Sequence, residues 1–95
     1  MKKTYISGKI TGIENEAYDM FESAQMYLLI IGQNPVNPMK LPHNHNKSWE
    51  AYMKEDIKAL LECDAIYMLE NWRGSKGARI ECKLADDLGI KIIYQ

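Results

Sequence analysis

Two acids stand where apolar residues belong. In GSKGARIECKLA, residues 74–85, and the LADDL that continues it, a helical repeat of about 100° per residue gathers Ala78, Leu84, Ala85 and Leu88 on one side and Arg79, Lys83, Asp86 and Asp87 on the other. Glu81 falls inside the apolar set, three residues after Ala78 and three before Leu84. In SWEAYMKEDIKALLEC, residues 48–63, the inward arc holds Trp49, Tyr52, Met53, Leu60 and Cys63, with Asp56 near its centre. Glu50, Lys54, Glu55, Lys58 and Glu62 point elsewhere and form a solvated face. An inward carboxylate is costly unless something partners or uses it. Helix capping accounts for neither acid. Ser75 is the natural cap of the later helix, but its third following residue is Ala78, so a Ser-x-x-Glu box misses Glu81. Asp56 lies in mid-helix. A single such acid would be explained by a structural pairing with a buried Tyr, Lys or Arg; two of them read as a site.

Two carboxyl groups flanking one pocket suit cleavage of a glycosidic bond, one attacking or stabilising an oxocarbenium-like carbon and the other acting as acid. The two must differ in proton affinity. Glu81, near a helix N-terminus, is expected to stay ionised and act as nucleophile. Asp56, among Trp49, Tyr52 and Leu60, is expected to hold its proton and act as acid or orienter. SGKITG, residues 7–12, is rich enough in glycine to present N–H groups to an anion, which makes Ser7, Gly8 and Lys9 candidate binding residues; it lacks G-x-G-x-x-G. GSKGAR is not the phosphate loop G-x-x-x-x-G-K-[ST], although Ser75, Lys76 and Gly77 open a helix at a place where an anion would sit. His43 and His45 have no evident third metal ligand nearby and read as part of a solvated lid loop. No Ser or Cys occupies a nucleophile elbow. Trp49 and Trp72 fit either stacking on a ring or filling the core. No metal or cofactor is expected.

The elements that position these residues follow from patterning. β-rich runs appear at 3–7 (KTYIS), around 34–38 (NPVNP), at 65–69 (AIYML) and at 90–94 (IKIIY). Helical repeats lie between them: Glu14 to Ile31, with Ala17, Met20, Phe21, Ala24, Tyr27, Leu28 and Ile31 inward and Gly32 as the stop; Ser48 as cap to about Glu62; and the stretch ended by Gly89. Strands alternating with helices mean βαβ units and a parallel sheet. Right-handed crossovers then predict one small doubly wound, flavodoxin-like α/β domain over residues 1–95, with three helices and four parallel strands in the order 2-1-3-4. Ligands of such sheets bind at the carboxyl ends of the strands, where SGKITG, PMKLPHNHNKSW and ENWRGSKGA emerge. Both acids border that edge.

Composition narrows the partners. Twelve Lys and Arg balance 13 Asp and Glu for a net charge of −1, and no basic run exists, so nucleic acid is not expected as a partner. No apolar run is long enough for a membrane span and MKKTYISG does not read as a signal peptide. Cys63 and Cys82 form no C-x-x-C and read as reduced core thiols of a cytoplasmic protein.

YISGKITG, the Asp of KEDIKALLECDAIYML, and the Glu of GSKGARIECKLA followed by a short strand resemble the nucleoside 2-deoxyribosyltransferase-like superfamily, and within it the DUF4406 branch met in phages and bacteria. The resemblance covers almost the whole chain. It implies that Glu81 is the nucleophile toward C1′ of the sugar, that Asp56 holds and protonates the substrate, and that Tyr5 hydrogen-bonds near the nucleophile. In the branch that hydrolyses nucleoside 5′-monophosphates a serine before the last helix binds phosphate, and Ser75 is placed similarly. The transferase branch has Asp at that position, and the phosphate-binding branch has an Arg in its first loop where this sequence has Thr11, with Lys9 close by. Both branches continue past the strand matching IKIIY and donate residues to a neighbouring subunit, contacts a chain ending at Gln95 is expected to lack. The implied ligand is a nucleoside or nucleotide, turned over by hydrolysis or transfer; binding without turnover in the same pocket and a structural or regulatory role stay open.

Met26, Leu29 and Ile30 lie on the outer side of the first helical repeat with only Asp19 and Glu22 as charged neighbours, more apolar surface than a monomer normally exposes. No other segment of so short a chain is expected to cover it. A homodimer or larger symmetric oligomer is therefore expected. Sedimentation at micromolar concentration should show more than the 11.0 kDa monomer, and Leu29→Glu with Ile30→Lys should dissociate it.

Overall fold

The computed structural model describes residues 2–43 and 47–95; His45 lies outside them. The elements run β1 (Lys3–Ser7), α1 (Glu14–Ile30), β2 (Asn34–Val36), α2 (Trp49–Leu61), β3 (Ala65–Met68), α3 (Lys76–Leu88) and β4 (Lys91–Tyr94). The four strands form one sheet in the order β2-β1-β3-β4, every neighbouring pair parallel. This is the doubly wound arrangement that the alternation of strand and helix signals predicts.

Strand periodicity splits the interior into two cores. Tyr5, Ile66 and Met68 face α2 and α3, packing with Leu60, Cys63, Ala78, Cys82 and Ala85. Ile6, Tyr67 and Leu69 face the opposite way, onto Ala17, Phe21, Ala24 and Leu28 of α1. Because both faces are covered, β1 and β3 read as continuous apolar runs rather than as alternating ones. α2 and α3 start on serine caps, Ser48 Oγ accepting from Ala51 N and Ser75 Oγ from Ala78 N. Gly32 and Gly89 follow α1 and α3 in the left-handed region, with φ of 84° and 73°, which a glycine adopts without Cβ strain.

Several helix-end residues placed inward by periodicity are outside. Tyr27, Ile31, Leu88 and Trp49 are between 38% and 56% exposed. A helix of 17 residues rises about 25 Å, whereas a five-residue strand spans about 17 Å, so terminal turns overhang the sheet. β2 is shorter than NPVNP: the Asn37 side chain accepts from Met39 N and Pro38 opens a single 3-10 turn, Pro38–Lys40, which ends strand pairing. Met26, Leu29 and Ile30 are 51%, 50% and 79% exposed. Among the described residues no helix is long and apolar enough to cross a membrane.

The loop after β1 approaches β3 closely. A Cβ on Gly8 would lie 2.7 Å from Leu69 Cδ1 and 2.9 Å from Leu69 Cβ, and Leu69 is fully buried. Gly8→Ala should therefore lower stability by about 1–3 kcal/mol through overpacking, read from the midpoint of urea unfolding.

Candidate functional site

From β1 the chain crosses to one side of the sheet and from β3 to the other, so a crevice opens between their carboxyl ends. It is a cavity of about 640 Å³. Tyr5 and Ser7 stand two apart on β1 and so project to the same face, the one carrying α3. There they meet Glu81: Tyr5 Oη donates to Oε2 at 2.8 Å and Ser7 Oγ to Oε1 at 2.7 Å. Small Ala78 and Ala85 on either side of Glu81 bring α3 close to the sheet. Glu81 is 5% exposed and lines the cavity.

Asp56 lines another wall, from the middle of α2. Its side chain is 13% exposed, and Oδ1 has no hydrogen-bond partner among the described residues. His43 Nε2 lies 3.6 Å from that oxygen and donates to the Pro38 carbonyl at 3.1 Å, while its ring packs 4.7 Å from that of Tyr52. His43 is thus a wall of the cavity rather than a solvated lid residue, because the 3-10 turn at Pro38–Lys40 folds the loop back over α2.

The proton inventory differs from the expectation of one ionised and one neutral acid. Burial pushes Glu81 up to about 7, against the pull of the Ser7 and Tyr5 hydroxyls. Burial also pushes Asp56 up to about 7, and the charges of Glu81 and Glu55 add to its rise. Glu81 lies in the second turn of α3, past the free N–H groups of its N-terminus, so the helix end does not hold it ionised. The hydroxyl donors favour the charged form of Glu81, an aid that Asp56 Oδ1 lacks. The Tyr5 hydroxyl is itself raised well above its ordinary range, first by burial and then by the carboxylates, and stays a donor.

Of the residues singled out from sequence, Tyr5, Ser7, Gly8, Trp49, Asp56, Ser75, Gly77 and Glu81 all border the cavity. Lys9 and Lys76 do not. Lys9 is held through its backbone N–H, which donates to Asn71 Oδ1 at 3.1 Å, and Lys76 Nζ lies 4.9 Å from the ring centre of Trp49 at the rim. Trp72 packs against the α2–α3 core and Tyr94 instead of the cavity. Sequence reading passed over Thr11, Glu14, Met39 and Tyr52 as site residues; Glu14 signalled only a helix start and Tyr52 only an apolar stripe. Among the described residues no group of three or more His, Cys, Asp and Glu is placed to hold a metal ion.

The parallel sheet in this order, flanked by three helices, is a fold the chain shares with solved structures. It superposes on the 2-deoxyribosyltransferase of Bacillus psychrosaccharolyticus with a TM-score of 0.73 at 19% identity, covering 97% of this chain and 70% of that one. For a 2-deoxyribosyltransferase of Leishmania mexicana the values are 0.75 and 17%, over 99% of this chain and 63% of the other. A conserved protein of Enterococcus faecalis V583 gives 0.70 and 18%, over 99% and 62%. The chain belongs to the DUF4406 family, a domain of unknown function, whose pattern matches residues 2–94. No curated protein matches it.

The buried acid predicts a pH signature. A carboxyl whose proton is held more tightly in the fold contributes stability fully below its unfolded value, near 4.5, and loses it as pH rises through about 7. Wild-type stability should fall across that window and level off above it. In Glu81→Gln the decline should be shallower, the variant gaining on wild type by about 2–3 kcal/mol between pH 5 and pH 8, measured by urea unfolding at each pH.

Proposed function

We propose that the cleft breaks the N-glycosidic bond of a nucleoside or nucleoside 5′-monophosphate, with Glu81 as nucleophile. The observation that carries this reading is a buried carboxylate at the wall of a roomy cleft, held by two hydroxyl donors, with a second acid on another wall whose Oδ1 accepts no hydrogen bond among the described residues. The likeness of the fold to two 2-deoxyribosyltransferases supports deoxyribosyl chemistry in general.

Tyr5 and Ser7 fix the Glu81 carboxylate so that one oxygen is presented to C1′ of the sugar. Its electron pair forms the C1′–O bond while the C1′–N bond breaks, and that bonding pair leaves with the base. Asp56, protonated, gives its proton to the departing base; as a carboxylate it then takes a proton from whichever acceptor attacks C1′ and frees Glu81. Water as acceptor yields hydrolysis, and a second base yields transfer. Trp49 and Tyr52 supply flat apolar surface for a base on the side where Asp56 must reach it. The exposed Met26, Leu29 and Ile30 support a homo-oligomer built on α1.

Incubation with a panel of deoxynucleosides and their 5′-monophosphates should release free base. Glu81→Ala should abolish that release with the fold intact; more than a tenth of wild-type turnover would remove Glu81 from the role. Asp56→Asn should lower turnover by about 10²–10⁴-fold and change the pH–rate profile. If the protein instead only binds a nucleotide, no base appears and Glu81→Gln alters affinity alone.

A further inference from the structure

The cations near the cleft make contacts at its rim or outside it. Lys76 lies over Trp49, Arg73 over Trp72 at 4.7 Å, and Arg79 donates to the Arg73 carbonyl at 2.7 Å. The Lys9 side chain runs beside Gly74. Among the described residues, Lys47 is the one Lys or Arg that borders the cavity, and its Nζ faces the His43 carbonyl at 3.4 Å and the Tyr52 ring at 5.7 Å, on the α2 side. The opposite wall carries a negative charge instead. Glu14, the first residue of α1, borders the cavity beside Thr11, and its Oε2 accepts from Gly12 N at 3.0 Å. That N–H bond and the residue's own keep its carboxyl below the usual range, hence ionised at neutral pH. The positive end of α1, worth about half a charge, is thus already filled by a carboxylate of this chain.

Which end of a substrate meets Glu14 follows from the two acids. With C1′ at Glu81, the base must lie toward α2, where Asp56 can protonate it and Trp49 and Tyr52 can pack on it. The 5′ end of the sugar then points to the loops after β1 and β3, toward Thr11 and Glu14 and toward Ser75 and Gly77. At the second of these, Ser75 Oγ accepts from Ala78 N, and the helix end there, worth about half a charge, shares its cavity with three carboxyl groups, Asp56, Glu81 and Glu14. We infer that the cleft selects nucleosides with a free 5′-hydroxyl over nucleoside 5′-phosphates, and that Glu14 sets this selection by accepting from the hydroxyl and repelling the phosphate. The inference rests on the proposed nucleoside chemistry for the orientation of the ligand.

Binding separates the two claims. In the Glu81→Gln background, where cleavage is expected to be absent, calorimetric titration with each of the four common deoxynucleosides and its 5′-monophosphate should show the nucleoside bound at least tenfold more tightly. Adding Glu14→Lys should shift that ratio by about tenfold or more toward the monophosphate. Glu14→Gln, which keeps an acceptor for Gly12 N, should shift it in the same direction by less. Circular dichroism of each variant should match that of its parent. Equal or tighter binding of monophosphates with Glu14 present, a ratio indifferent to Glu14→Lys, or no binding of any probe would overturn the inference. If the preference holds but wild-type protein releases no base, the glycosidic reading fails and the selection stands; if wild type cleaves monophosphates faster than nucleosides, the selection fails and the reading stands.

Discussion

A single carboxylate buried against the first strand organises this molecule. Glu81 receives Tyr5 and Ser7 at 2.8 and 2.7 Å, and those bonds exist only because β1 is central, parallel to β3, and covered on that face by α3. A buried acid without donors would be a heavy liability. With two hydroxyl donors its two oxygens are each tied to a strand whose backbone is fixed by pairing on both sides. The alanines at positions 78 and 85 are the packing counterpart: larger residues would hold α3 off the sheet and lengthen both bonds.

The same burial decides the proton chemistry. Glu81 and Asp56 are each lifted to about 7, so near neutral pH the cleft holds carboxyl groups that trade protons easily rather than one fixed anion and one fixed acid. What separates them is hydrogen bonding. Glu81 has hydroxyl donors that favour its charged form, whereas Asp56 Oδ1 has no such partner and also feels the charge of Glu81. The difference in surroundings between the two carboxyl groups comes from β1 side chains, not from the helix end.

Cations behave in the opposite manner. Lysines and arginines with long apolar stems find aromatic faces and carbonyls on the outside of the cleft, as Lys76, Arg73 and Arg79 do. The carboxyl groups of Glu14, Asp56 and Glu81 border the cleft, whereas Lys47, which also lines it, turns its Nζ to the carbonyl of its own loop.

By itself the sequence determined the order and type of elements, because strand and helix periods, the Ser48 and Ser75 caps and the glycines at 32 and 89 are local signals acting over one or two turns. It also marked Glu81 and Asp56, since a charge inside an apolar arc is visible in a 100° repeat. Tertiary structure alone decided which neighbours those acids meet. That Tyr5 and Ser7 reach Glu81 depends on β1–α3 packing across more than 70 residues, and the Glu81 proton affinity depends on the depth of burial there. His43 enters the wall because Asn37 and Pro38 turn its loop back, while the Lys9 side chain runs beside Gly74 and Lys76 lies over Trp49. Helix ends such as Trp49 and Leu88 escape periodicity for a simpler reason. A repeat assigns a direction around the axis but knows nothing of where the sheet beneath it stops.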